Sequence, residues 1–264
     1  MSYLKFYYSA LFLTLVISSC TKVIDLKLGD QSGKLVIEGN INDQHGQVIT
    51  LSRNVPFTNS NVYPPVSGAT VTVSIGTLVY NFTEGPAGTY SANRLVGFPG
   101  LTYTMTVVTG GVTYTAKSTM PQRVDLDSIT EANTVFNTSK NSREISVHFH
   151  DPAGVVNQYN FLLYVNNKNK QVNTIFAYND DFTNGRFVDI DLLENNIDIH
   201  PGDQVGVEMQ CIDKPMYIYW YSLLQQSNNF GQGIAPSNPP NNITPAVLGY
   251  FSAHTGQVRF LRVK

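Results

Sequence analysis

The chain has 264 residues, a formal net charge of −2 and 14% charged residues, against about a quarter in an ordinary globular domain. That balance leaves no basic stripe for nucleic acid. With Cys20 and Cys211 as the whole cysteine complement, it also leaves no disulfide framework. Polarity comes from Asn, Thr, Ser and Gln, alongside 15 Tyr and 14 Phe, a mixture that favours strands.

Met1 to Lys5 carries one basic residue, an apolar run follows from Phe6 to Ile17, and Ser18-Ser19-Cys20 closes it. A charged start, a short apolar run and small residues make a secretory signal peptide. The run is too short for a spanning helix of about 20 residues. Leu15-Val16-Ile17-Ser18-Ser19-Cys20 resembles the bacterial lipobox, which implies cleavage before Cys20 and acylation of its thiol and new amine. Each buried CH₂ contributes about 0.8 kcal/mol, so several chains on one cysteine give a stable anchor. The expected organisation is a lipoprotein signal peptide over 1–19 and a polar tether over 20–33. An N-terminal Ig-like β-sandwich over 34–120 and a second β-rich domain over 121–264 follow.

From residue 34 onward the period is two. Leu35 to Ile41, Gln47 to Ser52, Thr70 to Ile75, Thr77 to Phe82, Thr89 to Ser91, Thr102 to Val108 and Val112 to Ala116 read as strands. Turns rich in Gly, Asn or Asp separate most of them, and a loop rich in Asn and Pro runs from Asn54 to Gly68. About seven short strands at this spacing predict a sandwich of Ig-like size. Pro121 forces Met120 extended and marks the boundary. Glu144 to His150, Tyr159 to Val165, Val172 to Tyr178, Arg186 to Leu192 and Gln204 to Ile212 form a second series. The fold class is therefore all-β, two β-sandwich-like domains with one helix near the C-terminal end.

That helix is expected at about 215–227, where the period changes. Asp213 can cap it and Pro215 suits its first turn. Met216, Trp220, Leu223 and Leu224 fall on one face, with Tyr217 and Tyr221 beside it. A core stripe packed on the second sandwich is the main reading, and an aromatic binding platform the other. Asn228 to Thr244 is irregular, and Val247 to Ser252 and Gln257 to Val263 read as two closing strands.

No catalytic motif stands out. His148 and His150 share one strand face beside Asp151, but two histidines are too few for a metal centre. Asp189 and Asp191 alternate on another strand and read as solvated carboxylates, since Ca²⁺ wants six or more oxygens. Cys211 sits in an alternating run and reads as a buried structural thiol. No cofactor is expected. Asp127-Ser128-Ile129 resembles the Asp-Ser/Thr-aliphatic O-glycosylation motif of exported Bacteroidetes proteins, which makes Ser128 a candidate glycan site between the domains. Long irregular loops are often functional. Phe230 and Ile234, apolar in the polar 228–244 stretch, and Phe57 and Tyr63 in the 54–68 loop, are therefore candidate partner or ligand contacts.

Several phrases resemble one family. Ser19-Cys20-Thr21-Lys22-Val23-Ile24-Asp25-Leu26, Leu35-Val36-Ile37-Glu38-Gly39 and Pro65-Val66-Ser67-Gly68-Ala69-Thr70-Val71 are similar to segments of the Bacteroidetes outer-membrane lipoproteins known as domain of unknown function 4249. So are Asp151-Pro152-Ala153-Gly154 with Asn157-Gln158-Tyr159, although Gln158 departs from the family's tyrosine. Pro201-Gly202-Asp203-Gln204-Val205, the Tyr-rich helix and Asn242-Ile243 through Leu248-Gly249-Tyr250-Phe251 complete the likeness. These motifs mark turns and packing. The resemblance implies a lipid-anchored outer-membrane protein, often encoded beside SusC-like TonB-dependent receptors. The expected role is a non-enzymatic, cell-surface accessory or cargo-binding partner of such a transporter, with the cargo unnamed. A surface adhesin or structural module, and a hydrolase with dispersed carboxylates, are the alternatives.

Overall fold

The computed structural model describes residues 32–44, 46–56, 62–133, 142–166, 175–193, 198–228 and 237–264. The first half of the chain supplies β1 (Leu35–Asn42), β2 (Gln47–Arg53), β3 (Thr70–Ile75), β4 (Leu78–Glu84), β5 (Thr89–Ala92), β6 (Thr102–Thr109) and β7 (Val112–Thr119). Their alternation is that of half-buried strands: on β1, Ile37, Gly39 and Ile41 are buried while Glu38 points to solvent. Gly110 and Gly111 both take positive φ between β6 and β7, the requirement of a two-residue hairpin turn.

The second half supplies β8 (Leu126–Asn133), β9 (Arg143–His150), β10 (Gln158–Val165), β11 (Phe176–Asn179), β12 (Phe187–Leu192) and β13 (Gln204–Cys211). The helix α1 (Lys214–Asn228), the short β14 (Ile243–Thr244) and β15 (Leu248–Arg262) follow. The chain is thus all-β with a single helix near its C-terminal end among the described residues. Asp213 caps α1 as its sequence suggests. Its Oδ1 accepts from Met216 N at 3.2 Å, and its Oδ2 accepts from Ser118 Oγ at 2.8 Å and Thr119 N at 3.0 Å. Burial pushes its pKa up against the pull of those bonds.

The closing segment differs from the expectation of two strands. Residues 248–262 form one continuous strand, and it organises the sheets. On one side Leu248 to His254 pair in parallel with Val36 to Asn42 of β1. On the other, Thr255 to Arg262 pair antiparallel with Cys211 to Gln204 of β13. A twelve-stranded sheet results, in the order β11-β10-β13-β15-β1-β2-β5-β4-β3-β6-β7-β14, with a separate β12-β9-β8 sheet. Gly249 sits in this strand at φ +100, where a Cβ would lie 1.9 Å from Ile37 O.

Two buried clusters fill the fold. Met120 belongs to the first and Val124 to the second, so the chain passes between them beside Pro121. The division by sequence ends there, because Ile243, Phe251 and Ala253 from the C-terminal half lie in the first cluster. Phe251 packs across Gly39, whose missing Cβ would fall 2.8 Å from the ring. Each fully buried side chain of this size contributes about 1.5–3 kcal/mol against exposure, so these contacts tie the C-terminal strand into the first core. Residues Ser32–Lys264 form one compact unit.

Trp220 is half-buried, not sealed in the second core. The helix packs on β10, β11 and β15. The indole meets Tyr250 edge-on at 5.1 Å, and Tyr219 meets the same ring at 5.2 Å. Tyr217 and Tyr221 stack at 5.4 Å, with Tyr221 exposed.

Candidate functional site

Among the sequence-derived sites, Cys20, Phe57, Phe230 and Ile234 lie outside the described residues. Tyr63 is exposed in a loop whose far end is held in place: Arg53 N donates to Pro64 O at 2.8 Å and Val66 N to Leu51 O at 2.9 Å. Farther along, Glu84 accepts from Gly68 N and Gly88 N, both at 2.9 Å, and those donors hold its carboxyl down at about 2. Ser128 is exposed, but it lies within strand β8 beside a bulge, opposite His148, and not in a linker.

His148 and His150 do share a face of β9, yet each is matched to its own carboxylate. His148 Nδ1 lies 3.3 Å from Asp189 and His150 Nδ1 lies 2.7 Å from Asp127. The exposed Phe187 ring lies against both imidazoles. Among the described residues no group of three or more His, Cys, Asp or Glu could hold a metal ion. Cys211 is a buried free thiol, its Sγ accepting from Val124 N at 3.3 Å, and burial pushes its pKa up. A thiol so placed is inert. Asp191 accepts from Ser146 Oγ at 2.6 Å.

Among the described residues lies a ligand-sized cleft of about 580 Å³ that sequence reading locates only in part. Its walls are Lys34 and Leu35 at the start of β1, Tyr114 of β7, Asn238 to Asn241, Ile243, and Ala246 to Leu248. Asn238 to Asn241 and Ile243 belong to the irregular 228–244 stretch and Ala246 to Leu248 follow it closely; Lys34, Leu35 and Tyr114 come from distant parts of the chain. The volume is in the range of small-molecule sites, about 300–1,000 Å³.

This cleft is built by side chains acting on backbone. Asn241 Oδ1 accepts from Ile243 N at 3.0 Å, while its Nδ2 donates to Val247 O. Asn242 joins the wall to both neighbouring strands, donating to Lys117 O at 3.0 Å and to Phe251 O at 2.7 Å. Ser237 N donates to Gln226 Oε1 of the helix at 3.0 Å, so α1 fixes the start of the wall. On the opposite side Lys34 N donates to Asn54 Oδ1 at 2.8 Å, and Arg53 holds Gly33 O at 2.7 Å. The cleft therefore lies beside the start of β1. Tyr114 and the prolines offer apolar surface and Lys34 a cation, a lining suited to binding.

A second surface was missed at the sequence level. Asp151 and Asp180 are buried and brace two neighbouring loops. Asp151 accepts from Tyr159 Oη and from Gly185 N, the latter at 3.2 Å. Asp180 accepts from Asn157 N at 2.9 Å and Asn184 Nδ2 at 3.0 Å. The braced loops hold out Phe182 at 88% exposure and Val156 at 73%. The signal lies in Asp151-Pro152-Ala153-Gly154, which reads as a turn in the family-like segment, and in the Asp180-Asp181 pair, which reads as polar punctuation of a turn.

Among the described residues no helix is long and apolar enough to cross a membrane. No curated protein matches the chain. The solved structures it is similar to include a cytokine receptor complex, 10% identical, covering 86% of this chain and 95% of that one at a TM-score of 0.27. A likeness that low carries no argument. The family model described as Domain of unknown function (DUF4249) matches residues 21–258, and the chain belongs to that family.

Proposed function

We propose that this chain is a non-enzymatic lipoprotein of the outer membrane, displayed at the cell surface, that captures a small cargo for a TonB-dependent transporter. The observation that carries the reading is the 580 Å³ cleft between Lys34, Tyr114 and Asn238 to Asn241. Its walls are held by hydrogen bonds in the free chain, so little ordering opposes binding. Lys34 in its wall is 14 residues along the chain from Cys20, the residue that the lipobox-like sequence marks for acylation.

The test is co-purification from detergent-solubilised outer membranes. Wild-type chain should bring down a TonB-dependent receptor or its cargo. A chain shortened between Gly231 and Asn241 should fold, reach the membrane and lose that material. Undiminished recovery overturns the cleft as the working site. Cys20→Ala should separately abolish metabolic palmitate labelling, and protease added to whole cells should remove the wild-type protein.

One observation favours adhesion as a second reading. Phe182 and Val156 project from braced loops, as anchors for a protein partner would. Loss of cell attachment in a Phe182→Ser variant with unchanged co-purification would select it.

A further inference from the structure

We propose that the free edge of β15 between Gly256 and Arg262 takes up an extended acidic peptide as an added strand, on the line that β1 leaves at Asn42. The inference is independent of the cleft described above.

Backbone groups on a strand point alternately to its two sides. On β15 the odd residues face the β13 side. Val263 N donates there to Asp203 O at 2.9 Å. Before β13 begins to pair, Phe251 N is held by Asn242 and Ala253 N by Ser118 Oγ. The even residues face the β1 side. Pairing with β1 ends at the Asn42–His254 position. Beyond it Gly256 N donates to Asp43 Oδ1 at 3.0 Å, and at the far end Lys264 N donates to Glu131 Oε1 at 2.8 Å. Between those two caps, the N–H and C=O groups of Val258, Phe260 and Arg262 on this side have no partner among the described residues.

Such an edge is normally blunted by charge, a bulge or a covering loop. Here two of the exposed side chains are apolar, Val258 at 38% and Phe260 at 53% exposure, beside the exposed Arg259 and Arg262. A cleft of about 480 Å³ opens along the first part of this stretch, lined by Gly256 to Arg259 and by Asn42 and Arg123 among others. Room beside Gly256 to Arg259, open backbone groups as far as Arg262 and two apolar side chains are what strand addition uses here.

Charge selects the occupant. The acids at this edge are committed: Asp43 to Gly256 N, Asp125 to Arg123 at 3.2 Å, Glu208 to Tyr164 and Gln210, and Glu131 to Lys264 N, with Arg143 4.0 Å from its other oxygen. The exposed cations are not. Arg259 uses Nε on Leu126 O at 3.1 Å, which leaves its terminal nitrogens, and Arg262 stands exposed at the end of the edge. The Gln257 amide accepts from Arg123 at 2.6 Å, and its own nitrogen is buried with no acceptor. Donors thus flank the edge, and a strand carrying carboxylates supplies what they lack.

The test uses the full chain and two synthetic peptides of about ten residues, one alternating Glu with Val and one alternating Lys with Val, read by site-resolved hydrogen exchange. The amides of Val258, Phe260 and Arg262 should exchange freely without peptide. The Glu peptide should slow them at least tenfold, and the Lys peptide should not. Val258→Pro removes an N–H that the β13 ladder does not use, so the variant should fold and weaken the Glu peptide about tenfold. Arg262→Glu should weaken it similarly without touching the backbone. Slow exchange at these amides in the free chain overturns the proposal, because the edge is then already covered. So do equal binding of the two peptides, no binding of the Glu peptide, or full affinity in both variants. A dimer that protects the same amides would also overturn it, by making the occupant a second copy.

Discussion

The side-chain amide of Asn242 binds both backbone groups of Phe251, donating to its carbonyl at 2.7 Å and accepting from its N–H at 3.1 Å. The same nitrogen reaches Lys117 O on β7 at 3.0 Å. One side chain thereby bridges β7 and β15 at the edge of the first buried cluster. Asn242→Ala should lower stability by about 1–3 kcal/mol, since buried backbone groups lose their partners. A urea midpoint unchanged from wild type would show that water replaces the amide without cost.

Gly249→Ala should be far more damaging than its size suggests. A Cβ there would collide with Ile37 O, and φ +100 is a backbone conformation that other residues rarely adopt. Parallel pairing of β15 with β1 should weaken over Val36 to Gly39. The expected loss is at least about 3 kcal/mol, measured by thermal or urea unfolding of soluble protein. Near-native stability would show that β15 can shift away from β1 at this point.

Trp220→Ala should cost about 1–3 kcal/mol. A fully buried indole would cost about 3–5 kcal/mol, but this one is half-buried and leans on Tyr250. It is the one tryptophan in the chain, so its emission reports that contact directly. Tyr250→Leu should shift the emission maximum toward longer wavelength. An unmoved maximum would mean that the ring contact does not shape the indole's surroundings.

His254 is buried beside Ser252, and burial pushes its pKa below the ordinary 6.5 in spite of the nearby carboxylates of Glu208 and Asp43. Below about pH 6.5 the unfolded chain therefore binds more protons at this position than the folded one. Stability should fall as pH drops through and below 6.5, and His254→Gln should flatten that limb. Equal slopes in urea titrations of both proteins between pH 7 and 5 would exclude His254 as the source. Glu84 acts lower, where its carboxyl is held at about 2 against an ordinary 4.5. Its contribution should vanish as pH falls from 4.5 toward 2, and Glu84→Gln should lose that part of the dependence.

The local elements follow from short-range patterns in the sequence. A period of two over residues 35–41 or 102–108 makes strands whatever they pair with, because alternation alone decides which side chains can be buried. Asp213 and Pro215 start the helix for equally local reasons. The continuity of β15 was not legible. His254 and Gly256 break its apolar alternation, and they are accommodated because Ser252 and Asp43 supply partners, Asp43 from 213 positions away. The cleft was legible only in its Asn- and Pro-rich wall, since Lys34 and Tyr114 reach it through sheet pairing. Trp220 lay on the predicted helical face, but its partner Tyr250 is on a strand that no helical period can identify. Periodicity records which side of an element is apolar. Which other element covers that side depends on register and on long-range hydrogen bonds, and those exist only once the chain has folded.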